Sequence, residues 1–242
     1  MYKKLTLILL VLFSILLSCS EIENNSRIAF QLKVVDDANQ PIPDIAVNSY
    51  AFRETAFIPF IIVLQGFEGI LGVSNTDDQG EATLISLEPS QERTQVAVVI
   101  NTNTSEQFEI TPINEEYGVV IYQLDSIVDF NELVILPNTI LRRNAVLEFE
   151  IIDNPNLDGE LAYTITYPTR VQQFQFPEGE SFTSNSTNGV GVSDFSGVLT
   201  IETLQNTTVI FEYTITSDNG DVMSNTIEIP INQETVQYVF EF

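Results

Sequence analysis

This 242-residue chain has a single thiol, Cys19, and no histidine or tryptophan. A thiol can be acylated, oxidised, bound to a metal or used as a nucleophile, and most of those uses need partners that this sequence lacks. Ser-His-Asp and Cys-His systems both pass a proton through imidazole near neutral pH, so neither is available. Catalytic zinc normally draws on histidine or cysteine ligands, and one cysteine alone cannot supply them. Three chemistries remain: a carboxylate pair of the glycosidase kind, an aspartic dyad, or a serine–lysine pair. The aspartic signature Asp-Thr/Ser-Gly does not occur, and a serine–lysine pair would have to use Lys33, the only lysine beyond residue 4. Among 34 acidic residues no one pair stands out. The expectation is a protein that is not an enzyme and holds no cofactor.

What precedes Cys19 shows how its thiol is used. Met1-Tyr2-Lys3-Lys4 is a cationic start, Leu5 to Leu17 is an almost unbroken apolar run, and small Ser18 stands directly before the cysteine. The run is shorter than the ~20 residues a mature spanning helix needs, and residues 1–18 have the layout of a secretory signal peptide. The junction resembles the lipobox of bacterial lipoproteins, which implies that Cys19 is acylated and becomes the new N-terminus. Ser20, Glu21, Ile22 and Glu23 follow at once and resemble the surface-export signal of Bacteroidota lipoproteins. Residues 19–26 are then a lipidated tether, and the protein is expected at the outer membrane, lipid-anchored and facing the cell exterior. Acyl chains contribute about 0.8 kcal/mol per buried methylene, so more than one makes a firm anchor.

Loss of residues 1–18 leaves seven basic residues against 34 acidic ones, a net charge of −27. Such a surface repels phosphate backbones, which excludes nucleic acid as a partner. Anionic head groups are repelled in the same way, so attachment to a membrane has to rest on lipid. The partners left to consider are the membrane, a protein or a glycan.

No segment carries a sustained helical period. Short alternating or apolar runs recur about every ten residues with turn residues between them, the pattern of all-β sandwiches. Ile28, Phe30, Leu32 and Val34 share one face of a strand, which puts Lys33 on the opposite, solvent face. Seven candidate strands precede Pro137 and about seven follow Asn138. The economical architecture is two tandem antiparallel β-sandwiches, residues 27–137 and 138–242, the second immunoglobulin-like on pattern alone.

Residues 34–47, Val-Val-Asp-Asp-Ala-Asn-Gln-Pro-Ile-Pro-Asp-Ile-Ala-Val, and 76–84, Thr-Asp-Asp-Gln-Gly-Glu-Ala-Thr-Leu, carry a second resemblance. Together they look like the carboxypeptidase regulatory-like domain, a transthyretin-like sandwich. Asn39 and Asp44 stand where that family has glycine, and both tolerate the left-handed backbone. Ala82 replaces an aromatic residue. The resemblance implies a transthyretin-like fold for residues 27–137 and a non-catalytic folding, spacing or docking role. A cousin, the Cna-B pilin domain, crosslinks a first-strand lysine to asparagine, but a solvent-facing Lys33 does not suit that reaction.

Phe57, Ile58, Phe60, Ile61, Phe67 and Leu71 belong to an apolar insertion that is either extra core between the sandwiches or an exposed patch for a partner. Asn154, Asn156 and Asp158 echo a calcium loop, although Ile165 stands where that loop wants Glu. Asp125-Ser126-Ile127 matches a short O-glycosylation pattern at Ser126. Ser217-Asp218-Asn219-Gly220-Asp221 reads as a type I′ hairpin, and the Gly/Ser/Thr/Asn-rich stretch 176–197 as a long loop. The functional expectation is a surface-exposed lipoprotein acting as a non-catalytic binding, adhesion or assembly module. A glycan-binding accessory protein and a periplasm-facing partner of an envelope complex are the alternatives.

Overall fold

A computed structural model describes residues 27–57, 62–89, 94–102, 112–124, 133–152, 159–177, 184–190 and 198–241. Their regular structure is strand throughout, as the alternating runs require. β1 (Arg27–Val35) pairs antiparallel with β4 (Glu81–Leu87) and parallel with β7 (Val134–Ile135) and β8 (Thr139–Ile140). Across the first core lies a five-stranded sheet in the order β11 (Val171–Phe176), β6 (Val119–Leu124), β5 (Thr94–Ile100), β2 (Ala46–Phe57), β3 (Ile62–Asn75). Ile28, Phe30, Leu32 and Val34 of β1 are buried in that core while Gln31 is exposed, because successive strand side chains point to opposite faces. Lys33 is partly exposed and lies 3.8 Å from Glu81 on β4. The apolar run of β5 is buried on both faces. Val96, Val98 and Ile100 join the main core, and Ala97 and Val99 meet Tyr50, Val119 and Ile121 on the other side.

The second sandwich faces a three-stranded sheet, β13 (Val198–Leu204), β9 (Asn144–Ile152) and β16 (Thr235–Glu241), against a four-stranded one. The latter runs β12 (Ser184–Val190), β10 (Glu160–Pro168), β14 (Thr207–Thr216), β15 (Val222–Ile231). Phe149, Tyr163, Phe211 and Phe240 fill the space between them.

The structure departs from the sequence reading in several places. The sheets are mixed: β1 with β7, β1 with β8, β6 with β11 and β9 with β16 are parallel pairs, where antiparallel pairing was expected. Pairing also crosses the 137/138 boundary, since β8 continues the β7 edge along β1 and β11 adds itself to β6. Within the stretch expected as a loop, Ser184–Val190 is an edge strand laddered to β10. Its backbone hydrogen bonds need no apolar side chains, so hydrophobic alternation carries no sign of it.

Three turns share one construction. Asp36 N donates to Gln40 O and Asn39 N to Asp36 O, both at 2.9 Å, with Asn39 at φ 61°. Asp77–Glu81 and Ser217–Asp221 repeat these bonds, with Gly80 at φ 71° and Gly220 at φ 87°. Each is a type I turn closed by one left-handed residue, the three-residue hairpin loop. Ser217–Asp221 is therefore not type I′: Gly220 alone has a positive φ there, and Asp221 supplies the extra paired residue. Asp36 and Asp77 cap their turns, each Oδ1 accepting two backbone N–H bonds at 2.8–2.9 Å. Asn39 and Asp44, at φ 61° and 58°, do occupy the left-handed region where the resembled family has glycine. At Gly80 nothing larger fits, because a Cβ would sit 2.4 Å from Val34 O.

The apolar insertion is a hairpin. β5 begins at Thr94 opposite Arg53, but β2 and β3 stay paired from Glu54–Gln65 to Phe57–Ile62. β1 runs toward the turns at 36–40 and 77–81, where Val34 N donates to Gly80 O, and β2 runs back from them. Phe57 and Ile62 are thus at the end where Arg27 begins. The second sandwich joins at the other end, where Gly118 N donates to Arg142 O and Asn206 Nδ2 to Asp37. The insertion is accordingly not filling between the sandwiches. Leu71 leaves the expected patch as well, since it packs on the first core.

Candidate binding cleft

A cleft of about 720 Å³ opens between the β7–β8 segment and β11, on the side of the first sandwich where its two sheets end. Its volume is that of a small-ligand or side-chain pocket. The alternation of β11 aims Gln172, Phe174 and Phe176 at the first core while Val171 packs on the sheet's other face. Because β11 lies parallel to β6 with Phe174 opposite Tyr122, those two rings stack with centroids 5.6 Å apart. Tyr122 Oη and Thr139 Oγ1 share a hydrogen bond of 3.1 Å across the cleft, which ties β6 to β8. Gln172 is buried, Gln175 is half-buried, and Arg142 stands at the rim. Arg142 Nε lies 3.3 Å from Asp37 Oδ1, an ion pair at an angle unsuited to a hydrogen bond. Among the described residues no carboxylate, lysine, serine or cysteine lines the cleft. It can therefore hold an apolar or aromatic group by contact and an amide by hydrogen bonding.

Burial is the first cause that raises the Tyr122 phenol above its usual range, against the opposing effect of the Thr139 hydrogen bond. Burial likewise leads the upward shifts of Tyr50, Tyr117 and Tyr238. The folded state favours the neutral phenol, so this stability is fully present below the ordinary tyrosine value of about 10 and is lost as pH rises through the folded values. Urea midpoints measured across the alkaline range should fall above about pH 10, and less steeply for Tyr122→Phe, which cannot ionise. An identical fall in that variant would take Tyr122 out of the alkaline transition.

A second cavity, of about 450 Å³, lies on the seam between the sandwiches and is lined by Glu115, Glu116, Arg143, Asn144, Arg170 and Glu234, among others. Arg143 pairs with Glu116 and covers the Tyr117 ring at 5.5 Å, while Arg170 Nη1 lies 3.2 Å from Glu202. Three of the seven basic residues beyond the signal segment, Arg142, Arg143 and Arg170, thus stand on this seam. Their charge is matched by neighbouring carboxylates, and their place is structural.

Of the residues singled out in the sequence, Cys19, Ser20, Glu21, Glu23, Ile58, Phe60, Ile61, Ser126, Asn154, Asn156 and Asp158 lie outside the described residues. Phe57 and Phe67 are strand residues of the β2–β3 hairpin. Among the described residues no group of three acidic or cysteine side chains is placed to hold a metal. The cleft itself was not anticipated. The alternation Val171-Gln172-Gln173-Phe174 marks a strand, but nothing local says that it pairs with β6.

No protein family matches the chain, and no curated protein does. Among solved structures it is similar to the Bacillus anthracis TIE protein, at 14% identity over 89% of this chain and 34% of that one, with a TM-score of 0.27. The chain thus spans about a third of that protein. The shaft pilin SpaA of Lactobacillus rhamnosus GG matches at 11% identity over 89% of this chain and 98% of that chain, with a TM-score of 0.27. A candidate adhesin from Bacteroides ovatus matches at 12% identity over 89% and 87% of the two chains, with a TM-score of 0.29. Superpositions this loose carry no argument about activity.

Proposed function

We propose that this chain is a lipid-anchored surface protein that binds a protein partner and does not transform it. The sequence around Cys19 supports the anchor. The observation that carries the binding role is the cleft: stacked rings, a shared hydroxyl bond and amide side chains, with no group among the described lining residues whose ordinary pKa lies near neutrality. Walls of that kind select an apolar side chain and hydrogen-bond the backbone next to it. The outer edge of β11, which has no strand partner among the described residues, borders the cleft and suits an extended segment.

Two measurements test the reading. Cys19→Ser should shift the protein from the membrane fraction to the soluble one, and a variant that stays with membranes ends the lipoprotein reading. Asn138→Trp places a large ring at the mouth of the cleft, on an exposed position where the fold should change by less than about 1 kcal/mol. It should melt like the parent and lose the proteins that the parent captures from crosslinked cells. Capture of the same proteins at the same yield would show that the cleft is not the binding site.

A further inference from the structure

We infer that Gln172 reads a carboxamide: the extended partner segment that enters the cleft carries an asparagine or glutamine, two residues from an apolar side chain, and pairs it with the Gln172 amide. The cleft as binding site is taken from the reading above. What Gln172 adds is the chemistry of the occupant.

Gln172 is 8% exposed, yet its side chain meets no hydrogen-bond partner among the described residues. It lines the cleft, and its amide atoms are not sealed off from it. The alternation of β11 that turns it inward also sends Phe174 and Phe176 into the same wall. Other buried polar side chains of the first sandwich are bonded. Asn101 Nδ2 donates to the carbonyls of Asn114, Tyr117 and Gly118, Ser49 Oγ donates to Ser86 Oγ at 2.8 Å, and Thr76 Oγ1 donates to Ile42 O at 2.8 Å. A buried polar group without a partner is rare, because it forgoes the hydrogen bonds it had in water. Gln172 is one half of a pair that an occupant of the cleft completes.

A carboxamide offers N–H donors and an acceptor oxygen together. A second carboxamide matches it, giving and taking one hydrogen bond at once. An aliphatic or thioether side chain leaves both halves unmet. A carboxylate leaves the Gln172 oxygen without a donor, and an ammonium leaves its N–H groups without an acceptor. A carboxylate also enters against the net charge of −27, with Asp37 already 3.3 Å from Arg142 at the rim. The positions beside Gln172 set the rest. Among the described residues β11 pairs only with β6, so its other edge is free for one more strand. A strand there lies about 4.8 Å away, with every second side chain turned toward the cleft. Gln172 and Phe174 are two residues apart, about 6.6 Å along the strand, so the carboxamide and the apolar side chain of the occupant are two apart as well. That apolar side chain has Phe174 on one side. On the other it covers Ile135 and Ile140, which stand 66% and 45% exposed at the cleft.

The test uses the mature chain, residues 19–242, carrying Cys19→Ser, with synthetic peptides as the probe. The first peptide alternates threonine with leucine and has a lysine at each end. Glutamine takes the first and last positions of its leucine face, so either strand direction offers one to Gln172. Two further peptides have methionine or glutamate in place of both glutamines. In titration calorimetry the glutamine peptide should bind at least about tenfold tighter than the methionine peptide, the size of one unmet hydrogen-bonding group. The glutamate peptide should also be the weaker. Gln172→Met keeps the side-chain volume and should melt within about 4 °C of the parent or above it. In that variant the methionine peptide should become the tighter one. Equal binding of the glutamine and methionine peptides by the parent overturns the inference, and so does a glutamine preference that survives Gln172→Met. A larger fall in melting temperature overturns it too, because Gln172 would then serve the fold. If Asn138→Trp weakens peptides that show no preference, the cleft stands and only the carboxamide fails. If Asn138→Trp binds every peptide as the parent does, both readings fail. Absence of binding by all three peptides overturns the inference, and the capture from crosslinked cells then judges the cleft by itself.

Discussion

A fragment ending at Pro137 should not fold, although it contains every residue that the sequence pattern assigns to the first sandwich. The missing pieces lie further along the chain. β8 pairs with Val34 and Val35, Leu141 is buried in the first core, and Phe174 and Phe176 of β11 pack against it from the far side of β6. Truncating one large buried apolar side chain costs about 2–5 kcal/mol. Losing Leu141 and two partly buried rings, with two strands of backbone pairing, removes much of the 5–15 kcal/mol by which a domain is stable. Residues 138–242 keep all seven strands of the second sandwich and its aromatic core, so that fragment should retain strand content and a broad melt. Circular dichroism against temperature on both pieces checks this. A cooperative transition in residues 27–137 would show that β8 and β11 are ornaments on a finished sandwich.

The same strands mark how far the sequence could be read. In β1 one face is core and the other is water, so the period of two appears in the residue types, and Ile28, Phe30, Leu32 and Val34 were legible. The turn at Asp77–Glu81 was legible because its aspartate cap and left-handed glycine each demand particular residues. β11 shows the limit. Its alternation announces a strand, but its partner β6 lies about 50 residues earlier, and pairing at that distance is decided by the packing of both sheets. The cleft exists only because of that pairing, so its residues could not be grouped beforehand. β12 failed for another reason: a polar edge strand is held by backbone bonds, which side-chain types do not report. The insertion was recognised as unusual from its apolar run, but only the register with β5 shows which end it leaves.

Sharing β11 also decides how the protein unfolds. Phe211 has no exposed surface, and its ring lies 4.8 Å from Phe149, 5.3 Å from Tyr213, 4.9 Å from Phe240 and 6.0 Å from Tyr163. Phe211→Ala removes the ring at the centre of that cluster, a loss of about 3–5 kcal/mol, with ring–ring terms of about 0.5–1.5 kcal/mol each among its causes. For a chain of this length the melting temperature should fall by about 6–20 °C. Phe211→Leu keeps most of the volume and should cost about 1.5 kcal/mol or less. The substitution is in the second sandwich, yet its effect should reach the first. Loosening β10 releases β11, which follows it directly in sequence, and with β11 go the Phe174 stack on Tyr122 and one wall of the cleft. Thr203 Oγ1 bonded to Pro168 O at 2.9 Å ties the end of β10 to the other sheet of the second sandwich, and Asn144 Nδ2 bonded to Tyr117 O at 3.1 Å reinforces the connection across the seam. Calorimetry of Phe211→Ala should therefore show one transition moved as a whole. If the trace splits, with one step displaced and the other at the parental temperature, the two sandwiches unfold independently and β11 does not couple them.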